Sequence, residues 1–277
     1  MTITLDGATR IFPIVGDPIA QVKSPGLLSD ILQARDVNAV VIPAQVPVAD
    51  FDLYVRALKK TQNIDGLVIT VPHKFAALGQ CDSVTERARF AGSVNVMRRL
   101  ADGTWHGDNT DGMGFADGVA ARGFDLAGKR ALLVGCGGAG SAIAYEILAR
   151  GAAHLAIHDA DATRRDRVIA RLSERFAGKV SAGSADPAGF DFIGNATPMG
   201  MREGDPLPVE ANKLVAEQFC GCVITKPAIS PWLQIAGTKG CGFMPGTAMF
   251  EAQAELLVDT LLGTAGAALQ AAEGAVA

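Results

Sequence analysis

The sequence contains no uninterrupted apolar run that approaches the roughly 18 residues needed to cross a bilayer. Residues 1–10 also lack the basic segment followed by an apolar segment that is typical of a secretory signal. We therefore expect a cytoplasmic protein with no membrane partner. Lys and Arg are scattered and the formal net charge is −4, so there is no basic stripe and we expect no nucleic-acid partner.

Cysteine and histidine are also scarce, with five and four residues, respectively. The cysteine count is odd, and Cys220-Gly-Cys222 lacks the second pair and the nearby histidines of a zinc site. These features predict reduced thiols and no metal centre.

What is abundant is apolar material. Hydrophobic residues make up 49% of the 277 residues and charged residues 19%, which is enough for a folded core and excludes a disordered chain. The length is typical of one large domain or two modest ones. There are no internal repeats.

Short β-branched runs alternate with amphipathic stretches in the first 114 residues. The pattern predicts strands at Ile11–Val15, Ala39–Ile42 and Gly66–Val71, the last ending before Pro72, and helices at Leu27–Ala34 and Phe51–Lys59. Such alternation indicates a parallel sheet with helices on its faces.

The pattern restarts after Gly114. It predicts a helix at Ser141–Ala149 and strands at Ala131–Val134, Leu155–Ile157, Phe190–Gly194 and Val223–Ile224. The fold class is therefore predicted as two-domain α/β. An N-terminal parallel or mixed domain covers 1–114, and a Rossmann-type dinucleotide-binding domain covers 115–245. A helix at Ala248–Leu262 is expected to pack back on the first domain, which would then include 246–263, and 264–277 form a tail.

A glycine-rich loop lies between the strand Ala131–Val134 and the helix that follows. The spacing Gly135-x-Gly137-x-x-Gly140, between a strand and a helix, is typical of dinucleotide-binding sites. The first glycine permits a tight turn, and the second lets backbone N–H groups approach a pyrophosphate at the helix N-terminus. Structural turns alone could explain a glycine triplet, but the strand–loop–helix context favours the cofactor site.

An acidic residue, Asp159, lies 24 residues after Gly135 and just beyond the strand Leu155–Ile157. A carboxylate there can accept hydrogen bonds from the adenosine ribose and repel a 2′-phosphate, which predicts NAD as the cofactor. Arg164 and Arg165 follow closely and could hold a phosphate, but we interpret them as solvated charges on the next helix.

Two charged residues in the first 114 could take part in proton transfer. Lys74 follows the apolar run 68–72, and Asp111 lies in the polar segment 107–112. An amine and a carboxylate that contact the same substrate hydroxyl could take up its proton and return it. Taken alone, however, Lys74 is more typical of a surface lysine and Asp111 of a turn or helix cap.

Seven segments occurring together and in order change that interpretation. They resemble the shikimate/quinate dehydrogenase family over about residues 11–254, and they are 16–25, 69–74, 92–95, 107–112, 135–140, 195–201 and 246–253.

The resemblance implies a two-domain enzyme with a cleft between a substrate domain and a Rossmann domain, and a homodimer is a family-level expectation. It implies that Lys74 and Asp111 are the catalytic pair, which bind the reacting hydroxyl and relay its proton. The implied substrate-binding residues are Ser24 and Thr70 near a carboxylate, Asn95 and Gln253 near ring hydroxyls, and Thr225. The implied cofactor-binding residues are Gly135, Gly137, Gly138, Ala139, Gly140, Asp159, Asn195, Thr197, Met199 and Met249. Asn109 either orders the Asp111 loop or forms a structural turn.

Several positions depart from the family pattern. Val22 replaces the first serine of a Ser-x-Ser pair, Thr225 replaces a tyrosine, and Ala248 replaces a customary glycine. The segment 158–160 replaces an Asn-Arg-Thr that suits a 2′-phosphate, which again favours NAD.

The leading hypothesis is an NAD-dependent dehydrogenase that interconverts a hydroxy carboxylic acid of the shikimate type and its 3-dehydroshikimate-type ketone, with low activity on shikimate itself. Quinate and an amino-substituted shikimate are the alternative substrates. A catalytically silent NAD-binding module and an ordinary NADP-dependent biosynthetic enzyme are the competing interpretations.

Overall fold

The structure is a computed structural model that describes residues 5–20 and 22–264. These residues form two α/β units. One unit contains the residues up to Thr110 together with those from Ala254 onward, and the other is Asp111–Gln253. This grouping divides the chain at 110 and 253, compared with 114 and 245 in the sequence prediction. From residue 265 onward, the predicted tail lies outside the described residues.

The first unit alternates strands and helices from Arg10 onward. In chain order its elements are β1 (Arg10–Gly16), α1 (Ser24–Ala34), β2 (Ala39–Gln45), α2 (Phe51–Leu58), β3 (Gly66–Ile69), α3 (Lys74–Leu78), β4 (Ser83–Val84), α4 (Glu86–Ala91), β5 (Val96–Arg99) and β6 (Trp105–Asp108). Its five predicted elements are all present, with ends that differ by a few residues.

The sheet of the first unit is mixed. Its strand order over the described residues is β2-β1-β3-β5-β6-β4, with β1 parallel to β2 and β3. Strand β5 runs antiparallel to both β3 and β6, and a turn at Gly103, where φ is +85°, joins β5 to β6 in a hairpin. Because β1 and β3 are parallel, their carboxyl ends lie at the same edge.

Both faces of this sheet are covered. Phe12 and Ile14 pack into one apolar cluster and Val15 into another, because successive side chains of a strand point to opposite faces. The first cluster includes Leu257, Val258 and Leu261 from the last helix of the chain. Arg35 pairs with Glu255 and with Asp259 of that helix.

The second unit begins with a helix and continues with strands and crossover helices. Its elements are α5 (Asp111–Ala120), β7 (Arg130–Val134), α6 (Gly138–Ala149), β8 (His154–His158), α7 (Ala162–Arg175), β9 (Val180–Ala182), β10 (Phe192–Asn195), β11 (Phe219–Cys222), α8 (Pro231–Thr238) and β12 (Gly242–Met244). The last helix, α9 (Gly246–Leu262), contains the division between the two units.

The sheet of the second unit is parallel throughout its described strands. The order β12-β11-β10-β7-β8-β9 places the first strand of the unit in the middle, with the chain winding outward in both directions. In such doubly wound sheets, ligands bind outside the carboxyl ends of the strands where the order reverses, here at β7 and β10. The predicted fold class is confirmed.

The prediction of a strand at Val223–Ile224 is wrong. Strand β11 ends at Cys222, and the β-branched pair follows it. The four residues of β11 are buried, and a Cβ at Gly221 would lie 2.7 Å from the Phe115 ring. Close packing against an aromatic ring therefore selects a glycine-containing segment that has little local β-propensity.

No helix among residues 5–20 and 22–264 combines the length and the apolar character required to span a membrane.

Candidate functional site

Lys74 is the first residue of α3, just beyond the carboxyl end of β3. The preceding His73 is buried, its ring stacks on Phe51 with centroids 4.5 Å apart, and its Nε2 lies 2.8 Å from the Val46 carbonyl oxygen. The Lys74 carbonyl accepts a hydrogen bond of 2.8 Å from the Val94 N–H. Lys74 is thus half-buried on a turn that is anchored from both sides.

Thr70 and Asn95 lie near Lys74 at this edge of the first sheet. The Ile69 N–H donates to the Asn95 carbonyl at 2.7 Å, and the Thr70 N–H donates to the Val15 carbonyl at 2.9 Å. The loop that leads to Ser24 approaches the same edge, because the Asp17 N–H donates to the Val71 carbonyl at 3.0 Å. Three of the predicted residues of this unit are therefore brought to one edge, and Ser24 opens α1 after that loop.

The Asn95 side chain contacts Thr110. Its Oδ1 accepts a hydrogen bond from the Thr110 N–H at 2.9 Å, and its Nδ2 lies 3.1 Å from Thr110 Oγ1. The side chain therefore holds the residue that precedes Asp111. Asn109 acts similarly, since its Nδ2 donates to Ser93 Oγ at 2.8 Å, and this favours its role in ordering the loop.

A buried ion pair between Arg87 and Asp108, which the sequence analysis missed, holds the start of the segment that leads to Asp111. Asp108 accepts hydrogen bonds from Arg87 Nε at 2.8 Å and Nη2 at 2.5 Å, and also from Thr85 Oγ1 and the Asn109 N–H. The Asp108 side chain is 5% exposed and that of Arg87 is 17% exposed. No local pattern links residues 21 positions apart, and only the pairing of β4 with β6 brings them together.

Asp111 opens α5 in the second unit and is buried. Its Oδ1 accepts a hydrogen bond of 3.0 Å from Nε2 of Gln253 in α9, which is also buried. The two helices approach closely because a Cβ at Gly114 would lie 2.6 Å from the Cβ of Gln253. Gln253 thus contacts the Asp111 carboxylate, and its predicted contact with a ring hydroxyl stays a prediction.

The glycine loop has the geometry of a pyrophosphate cradle. Gly135 has φ +93°, and a Cβ at Gly140 would lie 2.2 Å from the Gly135 carbonyl oxygen, so neither position accepts a side chain. A Cβ at Gly137, in contrast, would have no neighbouring atom within 4 Å, so the space beside this residue is open. Helix α6 begins at Gly138, so its first N–H groups, including that of Ala139, lie at this opening. The residues present therefore fit a dinucleotide.

Asp159 lies at the end of β8 and braces the glycine loop. Its Oδ2 accepts the Cys136 N–H at 2.8 Å, and its Oδ1 accepts the Asp161 N–H at 2.9 Å. Burial alone would raise the pKa of Asp159, but hydrogen bonds from Arg164, Cys136 and Asp161 outweigh it and lower the pKa to about 2. The carboxylate is therefore ionised at neutral pH.

The interpretation of Arg164 as a solvated charge is wrong. Arg164 Nη2 donates to Asp159 Oδ1 at 2.6 Å, and Nε donates to Oδ2 at 3.3 Å, because the first turn of α7 places residue 164 beside the end of β8. Arg165 instead pairs with its neighbour Asp166 at 2.8 Å.

Asn195, at the carboxyl end of β10, organises the loop that follows. Its Oδ1 accepts hydrogen bonds from the Thr197 N–H at 3.0 Å and Oγ1 at 2.6 Å, and its Nδ2 donates to the Met199 carbonyl at 3.2 Å. Thr197 also borders the glycine loop, since a Cβ at Gly135 would lie 2.6 Å from its Cγ2. The predicted cofactor residues at 195, 197 and 199 thus form one loop next to Gly135.

The remaining predicted residues lie on other elements of the second unit. Thr225 is exposed in the segment after β11, and Met249 is buried one helical turn before Gln253 on α9. Met249 packs beside α5, where a Cβ at Gly118 would lie 3.2 Å from the Met249 nitrogen.

The cysteines are free thiols. Burial raises the pKa of Cys81 and of Cys136 to about 12, which keeps both thiols protonated at neutral pH. Across the described parts of the chain, no group of three or more His, Cys, Asp or Glu side chains is arranged to hold a metal ion.

Comparisons with known proteins show which family the chain resembles. The family described as the shikimate dehydrogenase substrate binding domain matches residues 14–97. The shikimate dehydrogenase (NADP(+)) of Rubrobacter xylanophilus is 32% identical over 251 residues, which is 88% of each chain. The ligand-free 5-ketofructose reductase of Gluconobacter sp. strain CHM43 is 29% identical, with a TM-score of 0.81 over 92% of this chain and 93% of that one.

Quinate dehydrogenase from Corynebacterium glutamicum, solved in complex with NAD, is 25% identical with a TM-score of 0.81, covering 91% of this chain and 93% of that one. The chain therefore belongs to the shikimate dehydrogenase family and is an oxidoreductase that uses a nicotinamide dinucleotide.

Proposed function

We propose that the protein is an NAD-preferring dehydrogenase that interconverts a secondary alcohol of the shikimate type and its ketone, with Lys74 and Asp111 as the catalytic pair. The proposal rests chiefly on Asp111, a buried carboxylate whose Oδ1 is oriented by Gln253 at 3.0 Å. The anchored turn beneath Lys74 favours a positioned amine over a mobile surface lysine.

Oxidation of an alcohol removes a proton from the hydroxyl oxygen and a hydride from the carbon. A nicotinamide dinucleotide held at the glycine loop would supply the hydride acceptor in this direction and the hydride donor in the other. Lys74 and Asp111 bind the hydroxyl, and one of them takes its proton as the carbonyl bond forms. In reduction the same group returns the proton to the oxygen, so charge and atoms balance.

The preference for NAD is proposed from Asp159, the acidic residue at the end of β8. Its side chain is 4% exposed and ionised, so an added 2′-phosphate would meet a negative charge. The Corynebacterium quinate dehydrogenase was solved with NAD, whereas the Rubrobacter relative is named as NADP-dependent.

Low activity on shikimate itself is proposed from Val22 and Thr225. Val22 is half-buried and packs against the apolar cluster around Phe12, and its side chain has no hydrogen-bond donor for a substrate carboxylate. Losing one such contact costs about 1–3 kcal/mol, or roughly 5- to 150-fold in binding. Quinate and an amino-substituted shikimate carry the same carboxylate, so their advantage over shikimate is proposed from Thr225, whose short hydroxyl replaces a tyrosine and leaves room or a different polarity for a differently substituted ring.

A neutral sugar ketone is a second candidate substrate. The same two positions favour it, because a substrate without a carboxylate loses nothing when the serine and the tyrosine are absent. The similarity to the 5-ketofructose reductase of Gluconobacter, 29% identical, gives this candidate a concrete example. The two substrate classes differ by one negative charge and can be separated by kinetics.

A kinetic panel tests these proposals. We expect purified protein to reduce NAD with at least one of quinate, aminoshikimate and shikimate, with shikimate the poorest, and to give a higher kcat/KM with NAD than with NADP. Oxidation of NADH by 5-ketofructose alone would favour the neutral substrate. No turnover with any of these compounds in either direction would contradict the proposed function.

Replacing Gln253 by leucine tests the assignment of Asp111. We expect kcat to fall by about 10- to 150-fold, because a hydrogen bond to a charged group contributes about 1.5–3 kcal/mol. If Gln253 orients Asp111, kcat falls more than KM rises. Gln234→Leu, at an exposed position on α8, is the control. A rise in KM with unchanged kcat would instead show that Gln253 binds a substrate hydroxyl.

A further inference from the structure

The structure points to Arg164 as a residue that determines cofactor specificity. We propose that Arg164 weakens the preference for NAD by competing with the cofactor ribose for Asp159 and by offering its guanidinium to a 2′-phosphate. This inference rests on the proposed use of Asp159 in NAD recognition. It concerns how strongly the chain discriminates between the two dinucleotides.

The Asp159 carboxylate is already saturated with donors. Its Oδ1 accepts from the Asp161 N–H and Arg164 Nη2, at 2.9 and 2.6 Å, and its Oδ2 accepts from the Cys136 N–H, at 2.8 Å. Arg164 Nε and Cys136 Sγ each approach Oδ2 at 3.3 Å. Two carboxylate oxygens offer about four acceptor sites in total, so ribose hydroxyls must displace a donor.

Arg164 is the donor that can leave. The two backbone N–H groups belong to the glycine loop and the start of α7, whereas the Arg164 side chain is 43% exposed. The Arg164 backbone stays in place because its N–H donates to Oδ1 of Asp161, the N-cap of α7, at 3.0 Å. Rotation of the side chain alone therefore frees Asp159 for NAD.

The Arg164 guanidinium has the opposite effect on the binding of NADP, which it favours. While it is paired with Asp159, it compensates the negative charge that would repel a 2′-phosphate. When it turns outward, its planar N–H groups match phosphate oxygens. Arg164 therefore disfavours NAD and favours NADP, and its removal should act on the two cofactors in opposite directions.

Arg165 provides a matched control. It is the adjacent residue on the same helix and the same residue type, but its Nε pairs with Asp166 at 2.8 Å and it makes none of the hydrogen bonds at Asp159 described above. A general loss of positive charge from α7 would affect both variants equally.

The test is calorimetric binding of NAD and NADP to wild type, Arg164→Gln, Arg164→Lys and Arg165→Gln, without substrate. We expect Arg164→Gln to raise the Kd of NADP at least about 10-fold and to lower the Kd of NAD. Arg164→Lys should lie between it and wild type, and Arg165→Gln should match wild type. Adenosine 2′,5′-bisphosphate and 5′-AMP are fragment probes for the same comparison.

Thermal unfolding of each variant verifies that the fold is retained. Equal weakening of both cofactors in Arg164→Gln would show a purely structural role and overturn the inference, as would an unchanged ratio of the two Kd values. Neither of these results would affect the proposed dehydrogenase activity. Absence of dinucleotide binding by the wild type would overturn the proposed function and this inference together.

Discussion

Replacing Lys74 by methionine is expected to lower kcat by about 1000-fold while the Kd of the dinucleotide stays unchanged, because a positioned acid–base group contributes about 10²- to 10⁴-fold to the rate. Methionine keeps the length and apolar stem of lysine but has no amine to bind or protonate the reacting oxygen. The anchored turn at His73 does not depend on the Lys74 side chain, so the fold should be retained. Steady-state kinetics and dinucleotide titration give the two quantities.

Lys60→Met is the matched control, since Lys60 is an exposed lysine of the same unit and its loss should leave kcat unchanged. A loss of kcat in Lys74→Met with a small rise in KM would indicate that the amine acts mainly in the transition state. Full activity of Lys74→Met would contradict the assignment of the catalytic pair. Simultaneous loss of dinucleotide binding would indicate misfolding, and Lys74→Arg would then serve as the second variant.

Replacing Arg87 by leucine is expected to lower the free energy of unfolding of the first unit by about 3 kcal/mol, because removal of one partner leaves a buried charge uncompensated. Of the donors described above, Asp108 would keep Thr85 Oγ1 and the Asn109 N–H. For a domain of this size the midpoint of thermal unfolding should fall by about 6–12 °C. Calorimetry or circular dichroism measures the change.

Arg89→Leu separates this effect from the loss of any arginine on α4. Arg89 is exposed and lies over the Phe90 ring at 4.6 Å, so its loss should change the midpoint by no more than a surface substitution does. Arg87→Lys, which keeps the charge but not the two-pronged geometry, should lie between leucine and wild type. Equal midpoints for Arg87→Leu and Arg89→Leu would show that the pair contributes little.

Local patterns predicted the elements that bury a regular face. Strand β1 and helix α2 were within reach of the sequence because Phe12, Ile14 and Phe51 follow the strand and helix periods. The hairpin of β5 and β6 could not be predicted from the sequence, since its direction in the sheet depends on pairing with β3. Strand β11 was misplaced because Gly221 is selected by the Phe115 ring that packs on it.

The candidate site divides in a similar way. Gly135, Gly140 and Asp159 could be identified from spacing, since the turn, the helix start and the strand end are all local. The partners of these residues could not: Arg164 on Asp159 and Gln253 on Asp111 are contacts that a helix start and a helix from the end of the chain provide. Such contacts leave no periodic trace in the sequence.

The sequence by itself determined the fold class, the family and the residues from which a dinucleotide cradle and a proton-transfer pair can be built. These depend on residue type, local spacing and the order of segments along the chain. The tertiary structure decided what each polar side chain contacts. It turned Asn95 and Gln253 toward Thr110 and Asp111, and Arg164 toward Asp159. The physical reason is that a buried polar group must find a partner, and the packing of strands and helices decides which one. That partner is five residues away for Asp159 and 142 residues away for Asp111.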